Sequence, residues 1–253
     1  MLTKTTAKLI QSLKDKRSRQ ESGLFVIEGA KMIAELPNSK ITLKSLFATR
    51  NWLEANERLF QDVDKVEVTE QQLKQISFLQ TPQQVLALAH LPQQQASMEH
   101  LHTQFSVVLD TLQDPGNLGT IIRIADWYGI QNIICSNDSV DVYNPKVIQA
   151  TMGSFARVQV LYASLETFFD NNTLPVYGAV MDGENLYQTV FPRHGLLLIG
   201  NEGSGIDTSL MKHISHPITI PRIGGAESLN AGIATAIICD AWARQYFSSS
   251  PSK

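Results

Sequence analysis

Polar residues able to handle an anion or a developing oxyanion gather in three short stretches. The first runs Asp110-Thr111-Leu112-Gln113-Asp114-Pro115-Gly116-Asn117-Leu118-Gly119 and leads to Arg123; the others are Gly200-Asn201-Glu202-Gly203 and Ser228-Leu229-Asn230. A guanidinium keeps its charge at any working pH and presents a fixed fork of donors, so Arg123 suits holding a phosphate or stabilising an alkoxide. The plainer account pairs it with Asp126 on an exposed helix, a contact worth about 0.2 to 0.5 kcal/mol. Residue type alone leaves both open. Glu202 is a lone carboxylate in a glycine-rich loop, where backbone N–H groups commonly need an acceptor. Ser228 and Asn230 flank Leu229 at a helix start, where capping alone explains them.

Other chemistries find little support. The loop at Gly200 is followed by no Gly-Lys-Ser/Thr and does not fit Gly-x-Gly-x-x-Gly, so nucleotide triphosphate use is not implied. His213 and His216 have no nearby carboxylate or thiol in sequence and read as structural or surface residues, so no metal is expected. No Ser-His-Asp or Cys-His set is legible, and Gly153-Ser154-Phe155 lacks the flanks of a nucleophile elbow. Cys135 and Cys239 make no disulfide framework, which fits a reduced, cytoplasmic location. No apolar run approaches spanning length, so neither membrane insertion nor secretion is expected.

The elements that must position these residues alternate between strand and helix. Short branched runs at Leu196 to Ile199 and Ile218 to Ile220, closed by Gly or Pro, read as buried parallel strands, so both loops would leave strand C-terminal ends, where open α/β sheets bind ligands. Phe105 to Leu109 and Asn132 to Cys135 read as strands around a helix at Asn117 to Tyr128; Val158 to Leu161 and Val176 to Ala179 are further strands. Lys146 to Met152 reads as a helix, as does Leu229 to Phe247, capped near Glu227 or Ser228. Upstream, helices are expected at Lys4 to Leu13, Lys31 to Leu36, Trp52 to Phe60 and Glu70 to Ile76, and strands at Leu24 to Ile27, Ser45 to Ala48, Lys65 to Val68 and Val85 to Ala89.

The polar tract Leu91 to Ser97 is the best linker, dividing a small α/β domain, 1–97, from a larger α/β domain with a mostly parallel sheet, 98–253. The 253 residues carry a formal net charge of -3, which excludes a globally basic nucleic-acid binder. Charge is uneven, however: Lys4, Lys8, Lys14, Lys16, Arg17 and Arg19 crowd the N-terminal end against Asp15.

Taken in order, DPGNLGTIIRIA, LLLIGNEGSGID and ITIPRIGGAESLNAGIATAI closely resemble the three signature motifs of the SpoU (TrmH-like) RNA ribose 2′-O-methyltransferases of the SPOUT superfamily. The motifs span about half the chain, with Tyr143-Asn144-Pro145-Lys146 through Met152-Gly153 similar to the family's intervening segment. KRSRQESGLFVIEG resembles part of a ribosomal-protein-like substrate-binding domain. The resemblance implies a C-terminal trefoil-knot domain, an exception to the rule that chains do not thread loops. It implies S-adenosyl-L-methionine as cofactor, held around Gly200, Asn201, Gly203, Ile220 and Leu229, and a homodimer with residues of both chains near each site.

Transferred by motif position, Arg123, Asn117, Glu202, Ser228 and Asn230 are the catalytic residues. Arg123 would orient the ribose-phosphate and stabilise the alkoxide, Asn117 would position the nucleotide, and the other three would order the loops. RNA is the expected partner, ribosomal RNA first and transfer RNA second; a non-catalytic RNA-binding protein that kept the knot is the rival. The family pattern is broken at Ala231-Gly232, where Val-Ser is common, and at Gln149, where arginine is common. Removing Met1 to Ser97 is expected to leave cofactor binding and dimerisation intact while weakening RNA methylation.

Overall fold

The computed structural model describes residues 1–92 and 104–247. By its internal contacts the chain forms two compact units: Met1–Gln95 together with Asp141–Ala156, and Ala96–Val140 together with Arg157–Lys253. The expected linker at Leu91 to Ser97 falls largely outside the described residues.

The first unit is built on a four-stranded sheet in the order β1-β4-β2-β3, from β1 (Leu24–Glu28), β2 (Leu43–Ala48), β3 (Asp64–Glu67) and β4 (Val85–His90). Strand β4 runs antiparallel to β1 and β2, and β2 parallel to β3. Period-two alternation sends successive side chains to opposite faces. Phe25, Ile27, Leu46, Ala48, Val85 and Ala87 therefore enter one apolar cluster, while Leu24, Val26, Phe47, Leu86 and Leu88 enter another.

Helix α1 (Lys4–Ser12), opened by the Thr3 hydroxyl, supplies Ile10 to the second cluster, and α5 (Glu70–Ile76) supplies Leu73 and Ile76. Helices α3 (Ala30–Glu35) and α4 (Arg50–Ala55) serve the first, through Met32, Ile33 and Trp52. Helix α4 is shorter than expected, ending where Asn56 turns its side chain back onto the Trp52 carbonyl. Helix α2 (Lys16–Ser22) was not legible, because KRSRQES has no apolar stripe. Its anchor is polar: Arg19 is buried, donating to the Leu13 and Lys14 carbonyls and to Asp141.

The stretch Asp141–Ala156 includes α7 (Pro145–Thr151), which packs on β1. Ile148 and Phe155 join the cluster of Phe25 and Ile27, and the Tyr143 ring lies 4.7 Å from that of Phe25. The helix ends in a left-handed turn at Met152 and Gly153.

The second unit carries a six-stranded sheet in the order β10-β8-β9-β5-β6-β7. Its strands are β5 (Phe105–Leu109), β6 (Asn132–Ser136), β7 (Gln159–Ala163), β8 (Val176–Asn185), β9 (Gly195–Ile199) and β10 (His216–Thr219), and every pairing between them is parallel. Strands β5, β6 and β9 are buried along their whole length, as near-continuous apolar runs require. Strand β8 extends well past Ala179 because β10 pairs along it through a register shift at Pro217/Ile218. Helix α8 (Leu165–Asp170) was not anticipated; it places Leu165, Phe168 and Phe169 against the sheet.

Candidate functional site

The three expected stretches follow β5, β9 and β10 at the C-terminal ends of the parallel strands. Strands β5 and β9 are immediate neighbours, with Leu109 opposite Ile199. After β5, Asp114 accepts the Asn117 backbone N–H and Pro115 takes the first position of α6 (Pro115–Trp127), where a missing N–H costs nothing. Leu118, Ile121, Ile122 and Ala125 bury one face of α6 and leave Asn117 at its first turn.

After β9 the chain turns back on itself, Asn201 and Gly205 exchanging both backbone hydrogen bonds at 2.9 and 3.0 Å. Only glycine fits at position 200, where a Cβ would lie 2.2 Å from the Gly205 carbonyl carbon. The Asn201 side chain accepts the N–H groups of Gly203 and Ser204 and donates to the Thr111 carbonyl at 2.8 Å. Glu202 stands at the tip of this turn.

Three of the expected residues meet here although 85 and 113 positions separate them: Asn117 Nδ2 donates to Glu202 Oε1 at 2.5 Å, and Asn230 Nδ2 donates to Asn117 Oδ1 at 2.7 Å. Asn230 Oδ1 accepts the backbone N–H groups of Gly232 and Ile233, so Asn230, rather than Ser228 or Glu227, caps α9 (Ala231–Phe247). The two ends fix how each amide faces. Helix N–H groups can only donate and a carboxylate can only accept, so every hydrogen bond in the chain is donated toward Glu202. Such aligned bonds polarise one another, and the positive end of the helix dipole adds to the same direction.

The residue Gly232, one of the departures from the family pattern, lies where α9 meets α6. A Cβ there would stand 3.1 Å from the Thr120 methyl and 3.2 Å from Asn230 Oδ1, so the glycine permits the close approach. Gln149, the other departure, is half-buried on α7 in the first unit.

The structure joins neither Arg123 nor Ser228 to this chain by a hydrogen bond among the described residues. Arg123 is exposed on α6, and Asp126, its expected ordinary partner, is held instead by Arg157 at 2.7 Å. Ser228 and Leu229 are exposed, Ile220 is half-buried and Gly203 is exposed. His213 stacks on Phe169 and His216 on Tyr177, which accounts for both rings. Sequence reasoning missed Thr111. Its φ of +52° is unusual for a β-branched residue, and no spacing pattern announces it.

The all-parallel sheet in this strand order, with glycine-bounded turns at its C-terminal ends, and the small mixed α/β unit formed mainly by the N-terminal residues are matched in solved structures of SPOUT trefoil-knot methyltransferases, so the chain has that fold, preceded by a substrate-binding domain. Residues 104–240 match the SpoU rRNA methylase family, and residues 4–87 match the MRM3-like substrate binding domain. The chain belongs to the SpoU rRNA methylase family. It is 30% identical to the 23S rRNA (guanosine(2553)-2′-O)-methyltransferase RlmP of Bacillus subtilis, covering 90% of this chain and 92% of that one. Among solved structures, a TrmH-family protein from Porphyromonas gingivalis superposes with a TM-score of 0.87 at 37% identity, covering 97% of this chain and 99% of that one. An AdoMet-bound rRNA methyltransferase from Sinorhizobium meliloti gives 0.86 at 29% identity, covering 98% and 97%.

Proposed function

We propose that this protein transfers a methyl group from S-adenosyl-L-methionine to a ribose 2′-hydroxyl of ribosomal RNA. The observation that carries the reading is the directed chain from the α9 N-terminus through Asn230 and Asn117 to Glu202. It is supported by family membership and by RlmP of Bacillus subtilis, whose name gives that reaction on 23S rRNA.

The residues present suit the cofactor. Gly224 and Gly225 have open space where a Cβ would stand, and at Gly203 a Cβ would meet only Asn201 Oδ1, at 3.5 Å, so backbone there is approachable, and Ile220 and Leu229 offer apolar contact. Gly200, Asn201, Gly203, Ile220 and Leu229 are assigned to holding it. When bound, S-adenosyl-L-methionine supplies an electrophilic methyl on a sulfonium centre, so the reaction calls for no metal.

The ribose hydroxyl is a poor nucleophile that must lose its proton as it attacks. Arg123 cannot accept that proton, because a guanidinium stays charged. Its proposed work is to hold the ribose-phosphate and stabilise the oxyanion as it forms. Asn117, with its Oδ1 and one N–H already committed, presents the remaining N–H to the nucleotide. Glu202 and Asn230 hold that amide in one orientation, and Ser228 orders the loop entering α9. The N-terminal unit is assigned to RNA capture, through the exposed Lys4, Lys8, Lys16 and Arg17.

A homodimer belongs to the proposal. Trp127 is 84% exposed one turn from Arg123 on α6, and Ile233 is 53% exposed on α9, which packs beside α6. A second copy would cover this apolar surface. The cytoplasmic assignment rests on two buried, unbridged thiols, which burial pushes up in pKa, Cys239 to about 12. Among the described residues no helix is long and apolar enough to cross a membrane.

The test is labelled S-adenosyl-L-methionine with separate ribosomal and transfer RNA pools. Label should enter ribosomal RNA, and Arg123→Ala should lower kcat by about 10²- to 10³-fold, the size of effect lost with one oxyanion-stabilising group, while cofactor binding persists. Label in transfer RNA alone would move the substrate. RNA binding without label in either pool would overturn the enzyme reading.

A further inference from the structure

Thr111 closes β5 in the left-handed region, with φ +52°. A β-branched side chain is strained there, and such strain persists only where the surroundings over-determine it. They do so here. The Thr111 N–H donates to Ser136 Oγ at 2.8 Å, and its hydroxyl has two carboxylate oxygens in reach, Asp110 Oδ1 at 2.9 Å and Asp138 Oδ2 at 3.2 Å. The neighbouring Leu112 N–H donates to Ser139 Oγ at 3.1 Å, and Ser139 is in turn bonded to Ser136. Asp110, whose other oxygen accepts the Asp207 N–H at 2.7 Å, ties the same corner to the loop after β9.

The turn leaves the Thr111 carbonyl facing Asn201, which donates to it at 2.8 Å while its own carbonyl oxygen accepts the N–H groups of Gly203 and Ser204. One amide thus braces both sides of Glu202 against the end of β5, the strand that also delivers α6 and Asn117. We propose that Thr111 is a positioning residue for the methyl transfer: its locked left-handed turn holds the carbonyl on which the Asn201 brace, and through it the Glu202–Asn117 contact, depends. This rests on the reading of the Asn117 cluster as the transfer site.

The backbone and the side chain can be tested apart. T111V keeps the branched shape but loses the hydroxyl that secures the strained turn, whereas T111G adopts the turn without strain. In the full chain, T111V should lower kcat about tenfold with the KM for RNA changed less than about threefold, and T111G should recover most of the loss. Amide exchange at Gly203, Ser204 and Gly205, followed by NMR, should quicken in T111V and return toward wild type in T111G. Ser136→Ala, which removes the acceptor of the Thr111 N–H, should quicken it likewise and serves if T111V does not fold. Unchanged exchange in T111V, or in S136A where T111V is unfolded, would overturn the proposal, as would T111G impaired as severely as T111V. A wild-type protein inactive on RNA would count against the methyltransferase reading alone, since the exchange measurement needs no turnover.

Discussion

Asn117 shows how a residue acquires a role its own chemistry does not dictate. An asparagine at the first turn of a helix is ordinary; one that receives from a helix cap and gives to a carboxylate has only one orientation left. Elsewhere a buried carboxylate behaves differently. Glu28 ends β1 buried, accepting from Ser77 Oγ and from the Phe78 N–H, yet desolvation outweighs these bonds and raises its pKa above the ordinary 4.5. A carboxyl whose folded pKa is raised favours the fold most while protonated, below about the ordinary carboxylate value, and that contribution is lost as pH climbs through the folded value. Glu28→Gln removes the titration and retains an acceptor for Phe78. The Tm of the wild type should therefore fall relative to E28Q as pH rises above the ordinary carboxylate range. A pH-independent difference would show that Glu28 titrates alike in the folded and unfolded chain.

At the scale of elements, legibility followed apolar periodicity. Strands β1, β4, β5 and β9 and helix α5 were plain from their runs of apolar residues, and the amphipathic α1 from its stripe. Helix α2 was not, because its hold on the fold is the buried guanidinium of Arg19 against Asp141, a residue 122 positions away. The three stretches that build the candidate site were visible as motifs, but the link from Asn230 to Asn117 and the left-handed Thr111 depend on where strands lie side by side. The α9 cap was placed two or three residues early, since Ser228, Glu227 and Asn230 are all acceptable helix-start residues and only contact with α6 selects Asn230. The ion pair gives a test. Arg19→Met should destabilise the protein by about 3 to 5 kcal/mol by leaving Asp141 without its partner, and adding Asp141→Leu should return much of that loss. Chemical denaturation of the two variants reads the difference; equal stability of R19M and wild type would show that the pair carries no weight.

For the whole molecule, the membership of Asp141–Ala156 in the first unit changes what truncation does. A chain beginning at 98 would keep the stretch but lose the cluster that buries Ile148 and Phe155 and the ring that meets Tyr143. Exposed apolar surface of this kind promotes association. The truncated chain should bind hydrophobic dye and sediment as aggregates, instead of the well-behaved knot unit that the sequence led one to expect. Replacing Tyr143, Ile148 and Phe155 by polar residues should restore its solubility. A soluble, monodisperse truncation with the native residues would show that the stretch finds other cover.

The same interleaving bears on how the protein is made. Chains emerge from the ribosome N-terminus first, and domains generally fold as units in that order. Here the first ninety or so residues cannot finish their fold when they emerge, because α7 and the aromatic residues beside it follow only after β5, α6 and β6 of the second unit have been synthesised. The substrate-binding unit must wait, with one face of its sheet incompletely covered, while the knot unit is already under construction. Synthesis order therefore sets a period of vulnerability in which a chaperone, or a pause in translation, would have its greatest effect.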